Sequence, residues 1–136
     1  MGTNETVDQQ LSKQIISIHR TNNQQELAQI YSAADLFVNP TREENYPTVN
    51  MEAIACGTPV LTFRTGGSPE IVDATTGSVV DVDDIEGLLQ EIYRICNEQP
   101  YTLEACLKRA KDFDMHKRFE EYIKLYEESY NSRISF

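Results

Sequence analysis

The segment spanning residues 39–70 restricts the fold of this chain more than any other. It begins where an apolar run, residues 35–39, is closed by Pro40. A polar loop then leads to Pro47, a residue suited to the first position of a helix. Val49, Met51, Ile54 and Ala55 follow at helical spacing, and Cys56-Gly57 supplies the stop. Residues 59–63 read as a strand, Gly66-Gly67 as a turn, and residues 69–72 as one helical turn. The order is therefore strand end, loop, short helix, strand, glycine-rich loop. Two loops that each leave the carboxyl end of a strand open on the same edge of a parallel sheet, and open α/β sheets bind their ligands at that edge.

The rest of the chain repeats this alternation. Residues 14–18 form a short β-branched run that reads as a buried strand, and residues 77–81 read as another. Asn23 can cap a helix carrying Leu27, Ile30, Tyr31 and Ala34 on one face. A second helix starts at Asp83 or Asp84 and presents Ile85, Leu88, Leu89, Ile92 and Ile95. Residues 101–113 are expected to be helical, and a last helix bears a stripe of Phe119, Tyr122, Ile123, Tyr126 and Tyr130. The expected class is α/β: a small parallel sheet of about four strands with helices on both faces, like half of a Rossmann-type sheet. Residues 1–136 make one domain, with 1–12 expected to be poorly ordered. A strand that reads as central follows Met1 almost at once, and the expectation is of a domain cut from something longer.

Composition excludes some functions. A formal net charge of −10 over 136 residues argues against nucleic acid as a partner. Cys56, Cys96 and Cys106 are widely spaced and odd in number, which points to buried thiols in a reducing, cytoplasmic setting rather than to disulfides or zinc. No apolar run is long enough to span a bilayer.

The helix that starts at Pro47 is the best candidate for chemistry. Proline has no N–H, so the first free donors are the amides of Thr48, Val49 and Asn50. Tyr46 cannot cap them, and unless Asn45 folds back an anion such as a phosphate would satisfy donors and helix dipole together. Glu52 lies on the same face about one turn, ~5.4 Å, beyond Thr48. A carboxylate at that distance from a phosphate suits the two hydroxyls of a ribose. Glu44 precedes the helix at the mouth of the cleft. Both glutamates also read as ordinary solvated carboxylates, and water can fill an uncapped helix start. Arg42 and Arg64 occupy cleft-side loops, where phosphate contact and plain solvation are equally open. Asp81, Asp83, Asp84 and Glu86 resemble a metal cluster in composition, but more simply form a strand end and a helix N-terminus.

Taken together, these blocks resemble a known family. Glu44 and Glu52 make a Glu-x7-Glu element, followed by Ala53-x-Ala55-x-Gly57-x-Pro59-Val60 and Gly66-Gly67-x-Pro69-Glu70, with Glu26 to Pro40 as lead-in. The pattern, over roughly residues 14–96, is similar to the donor-binding domain of retaining GT-B glycosyltransferases, the large bacterial group 1 family (glycosyltransferase family four). The resemblance implies a hexosyltransferase of glycan or polysaccharide assembly that uses a nucleoside diphosphate sugar and needs no metal. It places Glu44 at the catalytic position against the donor sugar and Tyr46 at the wall of the sugar pocket. Pro47 fixes the helix start, Thr48 and Val49 hold the distal phosphate, Glu52 takes the ribose, and the loop at His19 and Arg20 lies near the base. Two departures stand out: Asn45 and Pro47 replace glycines common in the family. The Arg and Lys that neutralise the diphosphate, on segments before residue 14, have no match here, nor does the N-terminal acceptor domain.

The resemblance thus implies a donor-binding half, silent alone, whose partner is that acceptor domain or a separate chain; the full enzyme could associate peripherally with a membrane. A non-catalytic nucleotide or sugar-phosphate-binding module, or a subunit completed by a partner chain, is the alternative. A flavodoxin-like regulatory domain is disfavoured, because no acidic phospho-acceptor cluster sits at the right strand end. The tyrosine stripe of the last helix reads equally as a docking face and as a cover for the domain's own core.

Overall fold

The structure, a computed structural model, describes residues 3–134. A one-turn helix α1 (Glu5–Asp8), capped by the Asn4 side chain, opens the described chain. Helix α2 (Gln24–Ser32) starts as its sequence requires: Asn23 Oδ1 accepts the Glu26 amide at 2.8 Å, and the Glu26 carboxylate reaches back to the Asn22 amide at 2.7 Å. Strand β1 (Phe37–Asn39), helix α3 (Thr48–Ala55) and strand β2 (Val60–Phe63) follow. After the short α4 (Ser68–Ile71) come β3 (Gly77–Val80), α5 (Ile85–Glu98), α6 (Leu103–Ala110), a 3-10 turn over Lys111–Phe113 and α7 (Met115–Ile134). Among the described residues no helix is long and apolar enough to cross a membrane.

The sheet is parallel, in the order β1-β2-β3, with Val60 opposite both Phe37 and Gly77. Residues alternate across it. Val60 joins Tyr31, Ala53, Ile54, Ile71, Val72 and Cys106 on the face covered by α2, α3 and α6. Leu61 and Phe63 point the other way, to Leu88 of α5. The α/β layout with helices on both faces is therefore as expected, on three strands instead of four.

The expected first strand is the exception. Residues 14–18 pair with no strand. The Ile15 amide closes a turn on the Ser12 carbonyl at 2.9 Å, and Ile15 and Ile16 are 54% and 89% exposed. A parallel strand exists only through a neighbour that accepts its hydrogen bonds, and this segment has none among the described residues. Two smaller shifts have local causes. Pro47 is the N-cap rather than the first helical residue, with ψ 104 in the extended range. On α5 only Leu88 and Ile95 of the apolar face are buried, while Ile85 and Leu89 stay half-exposed.

Candidate functional site

The loops after β1 and β2 meet at the carboxyl edge of the sheet, and the contact is close. The Gly67 amide donates to the Asn45 carbonyl at 2.6 Å. A Cβ on Gly66, whose φ is +45, would lie 1.9 Å from the Glu44 carbonyl oxygen, and one on Gly67 would lie 2.1 Å from the Tyr46 ring. Glycine is thus required at position 66 by the Glu44 backbone and its positive φ, while at position 67 the Tyr46 ring takes the space a side chain would need. A buried polar layer supports the loops from beneath. Asn39 at the end of β1 donates its side-chain amide to Asn50 Oδ1 at 2.9 Å, the Thr62 hydroxyl donates to the Asn39 carbonyl at 2.9 Å, and the Thr65 hydroxyl donates to the Thr41 carbonyl at 3.1 Å.

This scaffold fixes the start of α3. No side chain caps the helix. Asn45 does not fold back to cap it; its carbonyl accepts the Gly67 amide and its own amide donates to the Glu44 carboxylate at 3.1 Å. The Asn50 amide, expected to be free, instead donates to the Pro47 carbonyl at 3.1 Å. The Thr48 and Val49 amides remain without an acceptor among the described residues. Beneath them, Asn50 Nδ2 is buried with no partner.

Glu52, one turn further along, is exposed, and Tyr31 meets its carboxylate: the phenol donates to Oε2 at 3.4 Å. Burial first, and then the Glu52 charge, push the Tyr31 hydroxyl up to about 12. Glu44 is exposed at the lip of the loop. Tyr46 and Thr48 line one wall of an open groove of about 1030 Å3 whose opposite wall is α7, through Phe119 and Tyr122. Glu44, Val49 and Glu52 lie outside that groove.

The basic residues are placed differently. Arg42 Nε meets Asp83 at 2.6 Å and Arg64 Nε meets Asp81 at 3.1 Å, so these arginines are engaged with the acidic run before α5. Asp84 caps α5 by accepting the Gly87 amide at 2.9 Å. Arg20 is exposed and makes no ion pair among the described residues, while its neighbour His19 bonds Asp8 through Nε2 at 2.5 Å. The start of α3 and Glu52 are thus brought together; Arg20 and Arg42 are not joined to them by any hydrogen bond or ion pair.

Sequence reasoning overlooked the Gly66 and Gly67 clamp and the Tyr31 hydroxyl. Tyr31 fell on the apolar face of its helix, where a phenol counts as core. The available signal was that a buried tyrosine needs a partner for its hydroxyl.

Comparison with known proteins bears on the family of the chain. The chain is 37% identical over 87 residues to D-inositol 3-phosphate glycosyltransferase of Mycolicibacterium smegmatis, an alignment covering 63% of this chain and 19% of that protein. It is 48% identical over 65 residues to alpha-maltose-1-phosphate synthase of Mycobacterium tuberculosis, covering 46% of this chain and 17% of the relative. Its structure superposes on sucrose-phosphate synthase of Thermosynechococcus elongatus with a TM-score of 0.70 at 32% identity, over 78% of this chain and 28% of that one. The chain thus spans under a third of the length of each of these proteins. The family model described as glycosyl transferases group 1 matches residues 1–98, and with that match the chain belongs to the group 1 glycosyltransferases.

Proposed function

We propose that this chain is the donor-binding part of a retaining GT-B glycosyltransferase, taking a nucleoside diphosphate sugar and passing its hexose to a glycan or polysaccharide acceptor. The observation that carries the proposal is the pair of unsatisfied amides, Thr48 and Val49, at the start of an uncapped helix, with the Glu52 carboxylate one turn along. A distal phosphate satisfies the amides and the helix dipole. As the bond from the anomeric carbon to the phosphate oxygen breaks, charge grows on that phosphate, and the same donors stabilise it while the glycosidic bond forms on the same face. Glu44 lies against the sugar, Tyr46 walls the pocket, and Glu52 holds the ribose. In this reading Arg20 lies near the base and Arg42 can leave its exposed partner for phosphate. The acceptor side comes from an N-terminal domain or another chain, and this chain alone does not turn over.

A second reading, a binding module without catalysis, draws on one observation: Arg42 and Arg64, the basic residues of the cleft-side loops, are paired with Asp83 and Asp81. Calorimetric titration with UDP, GDP and their sugars tests the main proposal. Specific binding of one base is expected, weakened at least tenfold, about 1.4 kcal/mol, in Glu52→Ala. Thr48→Pro removes one amide at a position where proline is tolerated, and is expected to weaken the diphosphate without unfolding the helix. If Glu52→Ala binds as well as the parent, the donor assignment is wrong.

A further inference from the structure

We infer that Tyr31 is a positioning residue for Glu52: its hydroxyl, fixed in the core, turns the carboxylate into the orientation in which it receives the ribose of the donor. The inference rests on the donor-site reading above and extends it to a residue of a different helix.

The geometry is that of a fixed donor and a mobile acceptor. Tyr31 is 5% exposed and belongs to the core cluster with Ala53, Ile54 and Val60. Its ring meets Phe37 edge-on, with centroids 5.2 Å apart and planes at 88°. Its carbonyl accepts the buried Thr58 hydroxyl at 2.6 Å, tying α2 to the segment that enters β2. A tyrosine has two side-chain torsions; with the backbone tied and the ring packed, the oxygen has one place to be. Glu52 is the opposite case, an exposed side chain on α3 with no ion pair among the described residues. The one side-chain contact described for its carboxylate is the Tyr31 hydroxyl, on Oε2 at 3.4 Å.

A carboxylate offers about four acceptor sites over two oxygens. A single donor on Oε2 restrains that oxygen and leaves Oε1 for vicinal hydroxyls. The direction of the bond is secure: burial and the adjacent carboxylate both keep the phenol protonated, so it donates throughout the physiological range. The rival account is that Glu52 merely satisfies a buried phenol. In that case Tyr31→Phe alters stability and leaves ribose recognition alone.

The test uses the full chain and four probes, UDP and GDP and the 2′,3′-dideoxy form of each, titrated by calorimetry into the parent, Tyr31→Phe, Glu52→Ala and the double variant. Tyr31→Phe keeps the ring and the packing and loses only the oxygen. It is expected to weaken the ribose-bearing nucleotide about three- to tenfold, the effect of one hydrogen bond, and to leave the dideoxy form unchanged. In the Glu52→Ala background the same change is expected to have no effect, because the group it orients is gone. If Tyr31→Phe melts too low for titration, the whole series is titrated in the cold, where the selective loss of the ribose-bearing forms is expected unchanged. Equal weakening of ribose and dideoxy forms would mark a structural role and overturn the inference. So would unchanged binding by Tyr31→Phe while Glu52→Ala loses the ribose preference. If Glu52→Ala itself shows no such loss, the donor-site reading has failed and takes this inference with it.

Discussion

At the scale of single residues, the two glycines after β2 do different work, and the difference is measurable. Gly66 has a positive φ of +45, and any Cβ there meets the Glu44 backbone oxygen at 1.9 Å. Gly67 has an ordinary φ of −82, and its Cβ would meet the Tyr46 ring at 2.1 Å. The first obstacle is backbone and the second is a side chain with 45% of its surface exposed and room to swing. Gly67→Ala is therefore expected to cost about 1–3 kcal/mol, as overpacking does, and Tyr46→Ala is expected to restore most of that loss. Gly66→Ala is expected to cost more, with no recovery from Tyr46→Ala. Urea unfolding of the four variants checks this, and a Gly66→Ala loss rescued by the Tyr46 change would show the backbone contact to be unimportant.

At the scale of elements, β3 and α5 are joined by a polar cluster that carries a pH dependence. Glu91 accepts from Arg94 at 2.8 Å and from the Ser78 hydroxyl at 2.6 Å, and Tyr101 adds its phenol to Ser78 and Arg94. The hydrogen bond from Arg94, against some burial, holds the Glu91 carboxyl below the usual range. A carboxyl whose folded pKa is depressed contributes stability above its unfolded pKa, near 4.3 for a glutamate, and loses it as pH falls through the lower folded value. Melting followed from pH 7 downward is expected to show this acid loss, and Glu91→Gln is expected to flatten it while costing on the order of 1 kcal/mol at neutral pH. An unchanged acid slope in Glu91→Gln would remove the residue from the account. The elements themselves were mostly legible in the sequence, because caps and periodicity are local. Asn23, Asp84 and Gly57 mark their helix ends, and Val60 to Phe63 announce a strand buried on both faces. What was not legible depends on distant partners. Residues 14–18 have the composition of a strand, but composition reports fitness for a sheet surface and not the presence of a neighbour. A glycine pair announces a tight turn without naming Glu44 and Tyr46 as the groups that press on it. The start of α3 was legible because proline's missing N–H and the lack of a capping side chain are properties of the sequence, whereas the Asn50 amide turning to Pro47 was not.

At the scale of the whole molecule, α7 stands apart. Every described side chain along it is exposed, including Phe119 at 55%, Tyr122 at 59%, Tyr126 at 72% and Tyr130 at 67%. Of the two readings of its aromatic stripe, a cover for this domain's own core is not what these residues form: Phe119 and Tyr122 only look across the open groove at Tyr46 and Thr48. An unpacked helix of 20 residues is marginal in water, since most helical stability in proteins comes from a buried face. Hydrogen exchange on the chain by itself is expected to find the amides of α7 exchanging several orders of magnitude faster than those of β2 and α3, which hold the fully buried Val60, Leu61 and Ile54. Slow exchange along α7 would mean that something covers it in solution. The clamp between the two loops has a consequence for recombination. The Asn45 carbonyl and the Gly67 amide lie on opposite sides of α3 and β2 in the chain, so a crossover anywhere between them gives a chimera whose two loops descend from different parents. Under the proposed donor-site reading, family shuffling that breaks inside β2 is a poor route to new donor preferences, and the block from residue 44 to residue 67 is best inherited uninterrupted.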